Sequence, residues 1–298
     1  MKYLFFAVLT FVLSLGARAE TPEQVRFMVY NVQNYVRMNR AIEGKQVANA
    51  PKPENEIEAL ISIIAAEKPD IIGVSEMGAP AEFEDFLARL KRAGLDYPHT
   101  EHVVAYDQER HLALASRFPI SARDSQKNLS FDLNGKKQYY KRGILDVTID
   151  VSPAFQLRFL GTHLKSKREV PEDQALLRRA EAHLLRLHAK NILEKAPDTK
   201  LLLYGDLNDT INEAPIREIM GSNKMPDYLS PIYLADDDNE KWTHFWKVAD
   251  IYSRIDYVFA SRAALKHLNR EKTHIASPKN WLQASDHRPL VVVLRVNP

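Results

Sequence analysis

Two strand-like segments, Gly143–Val151 and Phe155–His163, are separated only by Ser152-Pro153-Ala154, and this connection narrows the fold more than any other feature of the chain. Parallel neighbours need a crossover of about a dozen residues or more, so the pair reads as an antiparallel hairpin. An all-parallel doubly wound sheet is thereby disfavoured. The remaining strand candidates are Val25–Asn31, Asp70–Ser75, His111–Ser116, Lys200–Gly205, Ile255–Ala260 and Leu290–Val296, each short and rich in β-branched or aromatic residues. Helical spacing covers Asn55–Glu67 through Ile57, Leu60, Ile61 and Ile64, and Pro69 stops it. The longest helical pattern is Asp173–Glu194, with Leu177, Ala180, Leu184 and Leu187 on one face and Arg178, Arg179, Glu181 and Arg186 elsewhere. Mixed strands interspersed with helices predict stacked sheets covered by helices on their outer faces.

The N-terminus changes how the charge is read. Lys2 precedes an apolar run from Tyr3 to Leu15, which ends in Gly16-Ala17-Arg18-Ala19. A charged start, an apolar stretch too short to span a bilayer comfortably and an A-x-A box predict a secretion signal over residues 1–19, with export to the periplasm or medium. Removing it takes Lys2 and Arg18 from the 41 basic residues and nothing from the 39 acidic ones, so the formal charge of +2 falls to zero. Attraction to a polyanion must then come from local patches rather than net charge. No later stretch has the apolar length of a membrane span, so stable insertion after cleavage is not expected. There is no cysteine, which excludes disulfides, thiolate metal sites and cysteine nucleophiles.

No Pro- or Gly-rich linker and no internal repeat divides the chain, so residues 20–298 are read as one domain. Asn31–Asn55, Gln126–Lys141 and Asn223–Trp246 are long polar loops by their patterning and are candidates for substrate contact.

Six segments place an acidic, amide or imidazole group at or near a strand end: VYNVQN (Asn31), PDIIGVSEM (Glu76), GTHLKSK (His163), YGDLND (Asp206, Asn208), RIDYVF (Asp256) and SDHRPL (Asp286, His287). Each alone is weak, since strands often end in a carboxylate and a lone histidine is usually structural. Together they form a set of hard oxygen donors that selects Mg²⁺, Mn²⁺ or Ca²⁺, alongside two histidines with nearby carboxylates. Such a set suits hydrolysis of a phosphate ester. Metal and imidazoles neutralise the charge that develops in the transition state, while a carboxylate activates water.

The ordered set from Asn31 to Leu290 resembles the endonuclease/exonuclease/phosphatase superfamily, in particular its deoxyribonuclease I-like members. The resemblance implies a four-layer α/β sandwich of two packed mixed β-sheets flanked by helices. It implies metal-site positions at Asn31, Glu76 and Asp286, and a residue that orients or deprotonates water at Asp206, with Asn208 positioning phosphate. It implies that His287 contacts the scissile phosphate and is held by Asp256, and that His163 is a second site histidine paired with Glu109. Arg142 resembles a phosphate-facing arginine. Apart from the resemblance, Lys165 and Lys167 around Ser166 read either as a basic lip to the site or as a solvated loop.

Two departures stand out: the disulfides of deoxyribonuclease I are impossible here, and Ser75 precedes Glu76 where the family commonly has glutamine. The expectation is a secreted metal-dependent phosphodiesterase, nuclease-like, with Mg²⁺ (or Mn²⁺/Ca²⁺) as cofactor, nucleic acid as partner and no protein partner. A phospholipid or sphingomyelin phosphodiesterase, or a phosphatase, is the alternative within the fold. The Asn31–Asn55 loop carries Arg37, Arg40 and Lys45 with few large apolar residues, which favours a soluble polyanion over a membrane surface. The absence of a G-x-S-x-G elbow disfavours a serine hydrolase. Trp242, Phe245 and Trp246 around His244 suit either an aromatic wall for a base or lipid, or core packing.

Overall fold

The computed structural model describes residues 21–42 and 44–297; the segment read as a secretion signal lies outside the described residues. Twelve strands build two six-stranded sheets. The first sheet takes β1 (Gln24–Tyr35), β2 (Ile71–Met77), β3 (His99–Val103) and β4 (His111–Ser116). The second takes β5 (Ile120–Arg123), β6 (Leu145–Ser152), β7 (Phe155–His163), β8 (Leu201–Asp206), β9 (Ser230–Pro231) and β10 (Asp256–Ala260). The chain then returns to the first sheet with β11 (His274–Ile275) and β12 (Leu290–Arg295).

The strand orders are β11-β12-β1-β2-β4-β3 and β9-β10-β8-β7-β6-β5. Both sheets are mixed. β1 runs parallel to β2 and antiparallel to β12, while β7 runs parallel to β8 and antiparallel to β6. The β6–β7 pair is the hairpin that the Ser152-Pro153-Ala154 connection predicts.

Strand alternation sorts the side chains into layers. On β1, Phe27 and Val29 face the second sheet and pack with Leu145, Val147, Leu157 and Phe159. Met28 and Tyr30 face the other way, onto α1 (Glu54–Glu67) and α2 (Pro80–Arg92) through Leu60, Ile64, Phe83 and Phe86. The outer face of the second sheet, with Leu160, Leu203 and Phe259, is covered by α3 (Gln174–Lys195) and α4 (Ala214–Met220). Helix, sheet, sheet, helix is the four-layer sandwich.

Packing corrects the predicted face of α3. Its buried residues include Leu177, Arg178, Glu181, Ala182, Leu185 and Arg186, while Leu187 is exposed. The buried charges are tolerated because they find partners: Arg178 meets Asp209 at 2.8 Å, and Arg186 meets Asp227 at 2.5 Å. The predicted loops also hold structure. Met38–Ile42 pairs with Lys45–Ala50, Ser130–Leu133 with Lys136–Tyr139, and His244–Trp246 with Ile251–Ser253. Among the described residues no helix is long and apolar enough to cross a membrane.

Candidate active site

The ends of β1, β2, β7 and β8 and the start of β10 meet at one edge of the sandwich, over a cleft of about 570 Å³. Its lining includes Glu76, Arg142, His163, Lys165, Asp206, Asn208, Asp286 and His287. The backbone there is irregular. β1 breaks register between Asn31 and Tyr35, and β2 between Ser75 and Met77. Gln33, Asn34, Glu76 and Asn208 all hold positive φ, between 45° and 62°. Asparagine tolerates this region, but glutamate rarely adopts it, and bulges of this kind re-aim a side chain at the end of a strand. Gly205 has φ 142°, and a Cβ on it would lie 1.8 Å from the Thr162 carbonyl oxygen. Only glycine lets β8 press against β7 and deliver Asp206 beside His163.

His287 is the most heavily tied group. Its Nδ1 donates to Asp256 Oδ2 at 2.8 Å, and Asp256 Oδ2 also accepts from the Thr243 hydroxyl at 2.7 Å. Nε2 is then left facing Asp206 Oδ2 and Asp286 Oδ1, each at 3.8 Å. Burial opposes charge on this imidazole, yet Asp256, Asp206 and Asp286 around it push its pKa well above the usual histidine value. Asp206 is raised as well, which for a carboxyl favours the neutral form: burial first, then the neighbouring Asp256, brings it to about 7.

Asn31 links these groups. Its Nδ2 lies 3.3 Å from Glu76 Oε1, 3.1 Å from Asp206 Oδ2 and 3.4 Å from His287 Nε2. Its Oδ1 accepts from the Gln33 amide at 3.0 Å, which leaves that oxygen a second lone pair. Glu76 Oε2 accepts from the Asn34 amide at 2.8 Å. Asp286 is held by its own amide, which donates to Gln33 Oε1 at 3.1 Å. Among the described residues neither Glu76 nor Asp286 is ion-paired with lysine or arginine, and both carboxylates line the cleft. That donor chemistry fits a hard divalent cation. Asn208 donates from its side-chain amide to Leu164 O at 3.0 Å and from its backbone to Asp206 Oδ1 at 2.9 Å.

His163 is buried, with Nε2 3.5 Å from Asp206 Oδ2. Its expected pairing with Glu109 is absent. Glu109 is exposed and bound to Arg110 at 2.7 Å, while His163 Nδ1 is buried without a partner. The reason is local: the Asp107 carboxylate caps the Glu109 and Arg110 amides, a tight turn that sends the Glu109 side chain to solvent. Burial, then Arg142, holds the His163 pKa well below the usual value, so this imidazole is neutral. Arg142 reaches the cleft and pairs with Asp107 at 3.0 Å. Lys165 also lines the cleft, whereas Lys167 turns to Asp209 at 3.0 Å.

Several supporting residues escape sequence reading. Glu181 on α3 accepts the Lys165 amide at 2.7 Å and the Lys141 amide at 3.2 Å, tying both basic loops to the helix. Lys52, fully buried, donates to Gln33 O at 3.0 Å and pairs with Glu56, bracing the β1 bulge. Arg110 donates to Asn34 Oδ1 at 2.7 Å, and His244 packs its ring 4.6 Å from that of His287. Of these, Lys52 and His244 lie within stretches read as loops from the sequence, Asn31–Asn55 and Asn223–Trp246.

The sequence matches the Endonuclease/Exonuclease/phosphatase family over residues 28–287, a span that contains all of these site residues. The chain belongs to this family. The family's solved members share its fold. The human nocturnin catalytic domain superposes with a TM-score of 0.63 at 20% identity, over 91% of this chain and 94% of that one. Truncated TDP2 from Caenorhabditis elegans gives 0.60 at 17% identity, over 91% and 98%. Sphingomyelinase C from Streptomyces griseocarneus gives 0.57 at 16% identity, over 91% and 99%. No curated protein matches the sequence. The family, named for endonucleases, exonucleases and phosphatases, makes the chain a hydrolase of the phosphate-ester class, and the solved structures share its two mixed sheets.

Proposed function

We propose that this protein is an exported, divalent-metal-dependent phosphodiesterase with a nuclease-like substrate. The observation that carries the reading is the Asp256–His287–Asp206 arrangement at the floor of a cleft edged by Arg110, Arg142 and Lys165. Glu76 and Asp286 are the residues that would hold the cation, and when bound it supplies charge to screen the phosphate. The remaining work falls to the chain's own groups. Asp206, with its pKa near 7, takes the proton of an attacking water at neutral pH. His287, kept cationic by Asp256, donates to a non-bridging oxygen and stabilises the charge developing there. Arg142 and Lys165 position the phosphate, and neutral His163 offers a hydrogen bond beside Asp206.

One observation favours a second reading, a lipid phosphodiester substrate. The hairpin formed by His244–Trp246 and Ile251–Ser253 begins at the cleft and carries Trp246, Val248, Ile251 and Tyr252, all at least half exposed, with Val248 at 89%. Exposed apolar tips of this kind suit an interface. The hairpin of Met38–Ile42 and Lys45–Ala50 is largely exposed and carries Arg40 and Lys45, which favours a soluble polyanion.

Purified protein incubated with Mg²⁺ or Mn²⁺ against plasmid DNA, RNA, sphingomyelin vesicles and bis-p-nitrophenyl phosphate separates the readings. Cleavage of nucleic acid with sphingomyelin untouched supports the first. The reverse pattern supports the second.

A further inference from the structure

His244 and His287 face one another across an isolated antiparallel bridge. The bridge is fixed on both sides: the Phe245 amide donates to Asp286 O at 2.9 Å and the Arg288 amide to Thr243 O at 2.7 Å. Each ring has its Nδ1 engaged elsewhere, His287 with Asp256 at 2.8 Å and His244 with the Ser253 hydroxyl at 3.3 Å. Both Nε2 atoms turn toward the cleft, where they flank one carboxylate; that of His287 also lies 3.4 Å from Asn31 Nδ2. His244 Nε2 lies 3.9 Å from Asp286 Oδ2, and His287 Nε2 lies 3.8 Å from Asp286 Oδ1. One donor atom from each of the three residues falls within a common span of 4.8 Å.

We propose that His244, Asp286 and His287 form a second cation site, selective for a borderline transition ion of the Zn²⁺ class, whose filling switches off the hydrolytic site. Bond lengths of about 2.0–2.2 Å to nitrogen and oxygen put two ligands of a tetrahedral ion roughly 3.3–3.6 Å apart. Each histidine nitrogen needs to close on Asp286 by only a few tenths of an ångström, the three donors together lie within 4.8 Å, and the Asp286 side chain, one-third exposed, has the room to turn. Two imidazoles and one carboxylate suit Zn²⁺ better than Mg²⁺, which demands an octahedron of oxygens. Asp256 and Ser253 stand behind the two rings as groups that fix their orientation, an arrangement typical of metal-binding histidines. The open side of the cleft leaves a fourth position for water.

The consequence for the reaction rests on the proposed function. An ion at His287 Nε2 would displace the proton that this atom presents to the phosphate, and it would engage Asp286, one of the two carboxylates assigned to the hydrolytic cation. Filling this site and hydrolysing a phosphodiester are then mutually exclusive.

The test separates binding from activity. Metal-stripped protein is titrated with Zn²⁺ against a chromophoric chelator in a large excess of Mg²⁺. The expected result is one Zn²⁺ per chain, with affinity weakened at least ~10-fold in His244→Gln and in Asp286→Asn, a loss of the size seen when a metal site is disturbed. Circular dichroism checks that each variant folds, and two variants guard against the failure of one. Absence of stoichiometric binding, or unchanged affinity in both folded variants, overturns the site. In the activity arm, Zn²⁺ added to the Mg²⁺-supported reaction slows the parent protein, and the inhibition midpoint moves up at least ~10-fold in His244→Gln. An unmoved midpoint overturns the switch. A protein that binds Zn²⁺ as described but cleaves no phosphodiester defeats the functional reading and leaves the cation site standing.

Discussion

His287 Nδ1 donates to Asp256 Oδ2 across 2.8 Å, and both side chains are buried. The contact sets the tautomer of the imidazole, keeps it charged and aims Nε2 at the cleft. Asp256→Asn keeps the shape and removes the charge. Turnover is expected to fall by ~10²–10⁴-fold, the range for losing acid–base or charge assistance. Steady-state kinetics on bis-p-nitrophenyl phosphate measure it, and a rate within twofold of the parent contradicts the role.

His163 and Glu109 separate cleanly in the structure, so their variants should separate too. His163→Ala removes a buried group 3.5 Å from Asp206 and is expected to cost about 10²-fold in turnover. Glu109→Gln changes an exposed side chain bound to Arg110 and should stay within about twofold, as surface substitutions usually do. Equal losses in the two variants would restore the pairing that the geometry denies.

Glu181 predicts a pH effect on stability. Burial first, against the pull of Arg142 and two amide donors, raises its pKa from the ordinary 4.5 to about 7. The folded state then binds this proton more tightly than the unfolded chain. Its contribution is fully present below pH ~4.5 and is lost as pH rises through about 7. Arg142, Lys141, Lys165 and Tyr140 face it from the neighbouring loops and strand ends. Glu181→Gln removes the dependence, so the thermal midpoint of the variant relative to the parent should climb between pH ~5 and ~8. Parallel curves across that range contradict the assignment.

Gly205→Ala tests how the site is delivered. The added Cβ meets the Thr162 carbonyl oxygen at 1.8 Å, where backbone has no easy retreat. A loss of ~1–3 kcal/mol or more is expected from strain at a special φ, with activity falling in the folded fraction because Asp206 shifts. Denaturant titration reads the first and kinetics the second. A variant of parental stability contradicts the packing.

Much of this was legible in the chain because the information is local. Strands β4 and β7 coincide with their predicted limits, His111–Ser116 and Phe155–His163, since each is a short apolar run between polar flanks. Glu76, His163 and Asp206 share one cleft edge because each lies at the carboxyl end of a strand, Asn31 joins them at the β1 bulge, and Asp286 and His287 enter from the segment just before the antiparallel β12. α2 carries a readable signal, Pro80 at the first turn and Phe83, Phe86 and Leu90 at helical spacing. The Ser130–Tyr139 hairpin likewise turns on Asn134-Gly135, both at positive φ.

Other features have no local trace. Thr243 reaches Asp256 across 13 residues, Glu181 reaches the Lys141 amide across 40, and Lys52 supports Gln33 from 19 residues away. Residue type announces none of these, because the partner is chosen by the packed fold. The α3 face was misjudged for a related reason: apolar spacing alone hides arginines and a glutamate whose partners, Asp209, Asp227 and two backbone amides, lie on other elements.

The central claim is that a cation held by Glu76 and Asp286 and an imidazolium held by Asp256 act together on a phosphodiester. The most direct measurement is the rate of bis-p-nitrophenyl phosphate hydrolysis by parent protein and His287→Ala, each with Mg²⁺ or Mn²⁺ and each with EDTA. The account predicts turnover in the metal-loaded parent, loss in EDTA with recovery on adding metal back, and a drop of ~10²–10⁴-fold in His287→Ala at unchanged fold. Full parental activity in EDTA, or a His287→Ala protein as fast as the parent, contradicts it.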